Sequence, residues 1–172
     1  CSRSGIRSFT IVKDLSMYLG MYEKYLKDHF ELVISETNGH FVKSGCLIEH
    51  QTDWNVPIRD YIPRFCSEDY CDSFGLQWNR FKSLQLDSKN GHAHSRNRLI
   101  QNTRWSLDAL NEKSVIECGC GPGRFTEIFV STGADVVAVD MSSAIDVNLQ
   151  NNGHRENLLL LQGDITRLPF FY

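Results

Sequence analysis

The sequence has no surplus of basic residues, no long apolar run and no Cys-x-x-Cys pair, and each absence narrows what the protein does. Formal net charge is −3. Nothing in that balance holds a phosphate backbone, so nucleic acid is not an expected partner. The aliphatic run 158–161 is far short of the about 20 apolar residues that cross a bilayer, so no membrane span is expected. The six cysteines, at positions 1, 46, 66, 71, 118 and 120, are scattered. In a chain of this size they suit a reducing compartment better than a disulfide scaffold, and the expected location is cytoplasmic. No secretory signal pattern, internal repeat or low-complexity tract is visible. Both ends read as cut: the chain opens on Cys1 rather than Met, and it stops directly after a third candidate strand.

What is present is a soluble, globular composition. Hydrophobic residues make up 41% and charged residues 23% of the 172 positions, enough for one domain with a small appendage. Apolar residues between 14 and 30 fall mostly three and four apart, which predicts an amphipathic helix there. Short strands are predicted at 31–35, 41–42 and 45–48, with a turn at Asn38-Gly39. The aromatic-rich stretch 66–112 predicts helices, one capped by Ser67 and running through Phe81, another over 95–105. His92 and His94 form a His-x-His pair in a loop without an acidic companion, which reads as solvated histidines rather than a metal site.

The clearest order lies in 114–172. The predicted strands are 114–118, 135–140 and 157–164. A helix that Gly133 stops follows the first, and a helix started by Ser142 or Ser143 follows the second. The run Val136-Val137-Ala138-Val139 marks a strand buried on both faces, as in parallel sheets. Strand, helix, strand, helix, strand is an α/β pattern: half of a doubly wound, Rossmann-like parallel sheet, with strand order 3-2-1.

Between the first strand and its helix, positions 114–125 read Ser-Val-Ile-Glu-Cys-Gly-Cys-Gly-Pro-Gly-Arg-Phe. An apolar strand runs into Glu117, then Gly119, Gly121 and Gly123 at every second position. Such a loop brings bare backbone close to a ligand. A dinucleotide fingerprint is Gly-x-Gly-x-x-Gly, and here the third glycine comes one residue early. The carboxylate before the loop suits a ligand ammonium better than a pyrophosphate. Pro122 is predicted at the first turn of the next helix. This pattern resembles the first motif of the class I S-adenosylmethionine-dependent methyltransferases, and the resemblance extends over roughly 40–172.

The resemblance implies S-adenosylmethionine as cofactor and assigns roles by position. Gly119, Gly121 and Gly123 lie along its methionine part, and Glu117 pairs with its ammonium group. Asp140 accepts both ribose hydroxyls, and Met141 packs on the adenine. Asp164 accepts from the adenine amino group, with Ile165 beside the ring. No catalytic residue is identified by it. The segment 73–81 is similar to the region preceding the cofactor domain in the same family, either a lid or an aromatic face packed on the sheet.

The segment Val56-Pro57-Ile58-Arg59-Asp60-Tyr61-Ile62-Pro63-Arg64-Phe65 resembles the end of a small zinc-ribbon module found before some methyltransferase domains. One ligand pair of that module falls near Glu49 and Thr52, neither of which is Cys. Cys46, His40 and His50 do not replace a closed four-ligand site, so the ribbon is read as degenerate and no metal is expected. The resulting expectation is an accessory segment over 1–65 and a methyltransferase-like domain over 66–172, incomplete at its C-terminus. It would hold the cofactor-binding half of an enzyme that methylates a small molecule. Two alternatives stay open: a non-catalytic nucleotide-binding or interaction module, and a nicotinamide-dependent oxidoreductase. Oligomeric state is left open.

Overall fold

The computed structural model describes residues 19–66 and 86–168. The helix expected from Ser67 through Phe81, the segment 73–81, Cys1, Cys71 and the last four residues lie outside them. The described residues form two compact units, one over 19–65 together with Leu168, the other from Cys66 to Arg167.

The first unit opens with helix α1 (Leu19–Tyr25). It is followed by an antiparallel sheet of β1 (Phe30–Asn38), β2 (Phe41–Glu49), β3 (Asn55–Arg59) and β4 (Ile62–Pro63), in that order. The helix expected to reach Phe30 stops at Tyr25. Lys27, Asp28 and His29 break the apolar spacing, and Phe30 instead pairs with Glu49 across β1 and β2. Pairing likewise fuses the short strands expected at 41–42 and 45–48 into one. The polar Lys43 and Ser44 that seemed to separate them sit within the hairpin, where Lys43 meets Glu36 at 2.8 Å. The hairpin loop is Gly39-His40, one residue later than expected, because Asn38 still pairs with Phe41. The ribbon-like ending folds as β3, a two-residue loop and β4. Asp60 and Tyr61 in that loop both have positive φ, the signature of a type I′ turn. Met21 and Tyr22 of α1 and Leu26 just after it are buried, as are Cys46, Leu47, Val56, Ile58 and Ile62 of the sheet. Phe65 stands edge-on to Phe30 and Trp54.

The second unit carries α2 (Asp87–Asn90), α3 (His94–Thr103) and a 3₁₀ turn (Leu107–Leu110), then β5 (Ser114–Cys118), α4 (Thr126–Ser131), β6 (Asp135–Asp140), α5 (Ala144–Asn152) and β7 (Leu158–Gln162). The three strands are parallel in the order β5-β6-β7, the 3-2-1 arrangement expected from the sequence. β6 is central and its Val136 to Val139 run is buried throughout, as are Leu158 to Leu161 of β7. On β5 the apolar pattern misleads: Val115 and Glu117 face inward, whereas Ile116 is 46% exposed. Gly133 follows α4 with φ +82°, as its role of helix stop requires. Pro122 does not lie in the first turn of α4. Gly123 has φ +89°, which no α-helical residue adopts, so residues 121–125 form a separate turn and α4 begins at Thr126.

Candidate functional site

Parallel pairing brings the carboxyl ends of β5, β6 and β7 to one edge of the half-sheet, the edge where open α/β sheets bind ligands. Backbone bonds lash the edge together. Gly119 and Cys120 donate their amides to the Val139 carbonyl at 2.8 and 3.1 Å, and Gly163 donates to the Asp140 carbonyl at 3.0 Å. The glycine loop after β5 therefore rests on the end of β6.

The three glycines serve different purposes. Gly119 (φ +76°) and Gly121 (φ +50°) have left-handed backbones, and a Cβ at either would point into open space. Gly123 is enclosed: a Cβ there would overlap the side-chain amides of Asn148 and Asn152. Its side-chain position belongs to the packing of α5, and the accessible cradle is formed by the first two.

Asp140 is committed to the loop. Its Oδ2 accepts the Gly121 amide at 2.7 Å; its Oδ1 accepts both the amide and the hydroxyl of Ser142, at 2.8 and 2.6 Å. A carboxylate offers about four acceptor positions. One remains, so simultaneous acceptance of two ribose hydroxyls requires Gly121 or Ser142 to let go. The acid is a loop fastener as well as a ligand candidate.

Glu117 is 9% exposed, and its Oε2 accepts the Thr126 hydroxyl at 2.6 Å. Burial pushes its pKa up to about 7; the Thr126 bond opposes that rise and the nearby Asp140 charge adds to it. Among the described residues nothing donates to its Oε1. Met141 is half-buried, and its carbonyl accepts from Gln162 Nε2 at 3.2 Å and Cys66 Sγ at 3.6 Å. Asp164 closes an exposed turn in which its Oδ1 accepts the amide and hydroxyl of Thr166, bonds that hold its carboxyl below the usual range. Ile165 beside it is half-exposed.

Sequence reasoning missed the groups behind the loop. Thr126, Asn148 and Asn152 are buried polar residues that link Glu117 to Gly123. Arg124 is another such group; its Nε donates to Ser95 Oγ at 2.7 Å, tying the loop to the start of α3. The Asp87 carboxylate caps α3 by accepting the amides of Ser95 and Arg96 at 2.9 Å each, while the Asp87 amide donates to Glu127. Asparagines at positions four apart on a helix otherwise facing the core were the available signal.

For the ribbon-like segment, Cys46 is buried in the sheet and burial pushes its thiol up. Glu49 and Thr52 bond each other at the β2–β3 turn, and His50 bonds the Lys27 carbonyl. Among the described residues no three His, Cys, Asp or Glu side chains gather where they could hold a metal. Nor is any described helix long and apolar enough to cross a membrane.

No curated protein matches the chain. Residues 116–171 match the family model for a methyltransferase domain. That span starts on β5 and takes in the glycine loop, β6 and β7. With its parallel half-sheet and its glycine loop resting on the middle strand, this part of the chain is similar to a methyltransferase domain.

Proposed function

We propose that the site binds S-adenosylmethionine and that the full reaction is methyl transfer to a small-molecule acceptor. One observation carries the reading: the open backbone cradle at Gly119 and Gly121 lies between two carboxylates, Glu117 and Asp140. Two acids beside a bare loop disfavour a pyrophosphate and favour a ligand that brings an ammonium group and hydroxyls. The donor, when bound, supplies an activated methyl on a sulfonium. The chain's own part is to hold it: the cradle admits backbone-close contact, Glu117 offers an anion, and Asp140 offers its remaining acceptor position. Transfer from such a donor rests mainly on proximity and in-line alignment. The −3 net charge favours small acceptors over nucleic acid. The free thiols at Cys46, Cys118 and Cys120 fit a cytoplasmic location.

Calorimetric titration of the chain with S-adenosylhomocysteine and with NAD tests the reading. Binding of S-adenosylhomocysteine with weaker or no binding of NAD is expected. Tighter binding of NAD would overturn it.

A further inference from the structure

Behind the glycine loop runs an unbroken chain of buried hydrogen bonds. Asn152 Nδ2 donates to the Gly123 carbonyl at 3.1 Å and to Asn148 Oδ1 at 2.7 Å. Asn148 Nδ2 donates to Thr126 Oγ1 at 2.9 Å, and Thr126 Oγ1 donates to Glu117 Oε2 at 2.6 Å. Thr126 and Asn148 are fully buried and Asn152 nearly so. From Asn152 through Asn148 to Thr126, each donates to the next group toward Glu117. Asn148 occupies a lone pair of the Thr126 hydroxyl, which leaves the Thr126 proton directed at the carboxylate. Two helices, α4 and α5, thus converge on one oxygen of one acid, and among the described residues nothing donates to the other oxygen. The amide of Asn152 also anchors the third glycine of the loop, so the same chain fixes the loop and the acid together.

We infer that Thr126, held by Asn148 and Asn152, is a positioning residue that aims the Glu117 carboxylate and keeps it available as an anion for the ammonium group of the ligand. The inference rests on the reading that this ligand is S-adenosylmethionine. Removal from water is the larger influence on Glu117 and drives it toward the neutral acid; the Thr126 hydroxyl opposes that. The other titratable groups facing Glu117 act against the anion or are neutral. Asp140 at the end of β6 repels its charge, and the Cys120 thiol in the loop, itself pushed far up by burial, stays protonated. Thr126 is therefore the group that decides whether Glu117 carries charge near neutral pH. At a pH where Glu117 is partly protonated, an arriving ammonium releases that proton to solvent, so affinity rises with pH through the Glu117 midpoint.

The test has two readouts. In the ligand-free chain, the Glu117 side-chain carboxyl is titrated by ¹³C NMR in wild type, Thr126→Val and Thr126→Ser. Valine keeps the shape and removes the donor; serine restores it. Thr126→Val should raise the midpoint by about one pH unit, and Thr126→Ser should return it toward wild type. An unchanged midpoint in a folded Thr126→Val overturns the inference. Should valine unfold the chain, Thr126→Ala gives the same test. It removes the donor without adding a charge, so the midpoint should again rise. Second, S-adenosylhomocysteine affinity is measured from pH 6 to 9. Thr126→Val should weaken binding by about fivefold at pH 7 and hardly at all at pH 9, the loss of ionised Glu117 that follows a one-unit rise from about 7. An equal loss at every pH would mean that Thr126 merely supports the fold, and overturns its role in charging Glu117. A wild-type chain that binds no S-adenosylhomocysteine at any pH overturns the ligand reading and the ammonium half of the inference. The NMR midpoint still decides the positioning half.

Discussion

Asp140 Oδ2 accepts the Gly121 amide at 2.7 Å, so the acid ending β6 and the glycine loop after β5 form one unit. An acid placed only to receive ligand would be dispensable to the fold. Here its loss also strands the Gly121 amide and the Ser142 hydroxyl.

Asp140→Ala should therefore fail twice. Hydrogen bonds to a charged group are worth about 1.5–3 kcal/mol, so S-adenosylhomocysteine affinity should fall by roughly ten- to a hundred-fold. Urea midpoints should fall as well, unlike for a purely ligand-facing side chain. Asp135→Ala, at the opposite end of β6, is the control and should leave affinity unchanged. Equal affinities for the two variants would remove Asp140 from the site.

Glu117→Gln should stabilise the ligand-free protein as pH rises. The folded pKa of about 7 lies above the ordinary 4.5. Between those values the folded chain holds a proton that the unfolded chain has released, so wild-type stability falls as pH climbs from about 5 to 7 and then levels. The glutamine variant lacks that loss. Its advantage should be small at pH 4.5 and on the order of 3 kcal/mol at pH 8, from 1.36 kcal/mol per unit. Urea unfolding at the two pH values reads the difference directly; a constant offset would show that Glu117 titrates normally. The same variant should bind S-adenosylhomocysteine more weakly.

The three loop glycines should separate under alanine substitution. Gly119→Ala and Gly121→Ala place a methyl in open space at a left-handed φ, a backbone cost of about 1–2 kcal/mol. They should fold and lose ligand binding. Gly123→Ala meets Asn148 and Asn152 as well as an unfavourable φ, and should lower the melting temperature most. Identical melting shifts at all three positions would contradict the enclosure of Gly123.

Asp87→Ala removes the acceptor that caps α3. Loss of a helix cap costs about 0.5–2 kcal/mol, seen as a lower urea midpoint. Burial opposes the charge of Asp87, but the Arg96 and Ser95 amides and the Ser95 hydroxyl hold its carboxyl below the usual range. The wild-type contribution is therefore present above the unfolded carboxylate pKa and is lost as pH falls through the lower folded value. The variant and wild type should converge in acid; a gap that persists there would assign the loss to something other than the cap.

The half-sheet was legible because its signals are local and redundant. β6 runs over the residues that its acids and valines delimit, and the β7 leucines leave no polar position to expose. The glycine loop was legible from spacing alone. What failed did so through tertiary pairing. The α1 spacing ran on past Tyr25, but Phe30 was claimed by β2; Pro122 looked like a helix start, but Gly123 forbade one. The Thr126–Asn148–Asn152 chain was invisible because each member is an ordinary polar residue on a helix, and only the crossing of α4 and α5 behind the loop gives them a shared purpose.

Asn148 and Asn152 also set a limit on redesign. A procedure that fills buried helix positions with leucine would select both, since each is buried on α5. The swap would add apolar surface and remove the Asn148 bond to the Thr126 hydroxyl and the Asn152 bond to the Gly123 carbonyl, buried bonds worth about 0.5–1.5 kcal/mol each. The space behind Gly123 is shaped for flat amides, and a branched side chain would press on the loop. Thermal tolerance engineered through α5 would thus be gained at the expense of the loop in front of it.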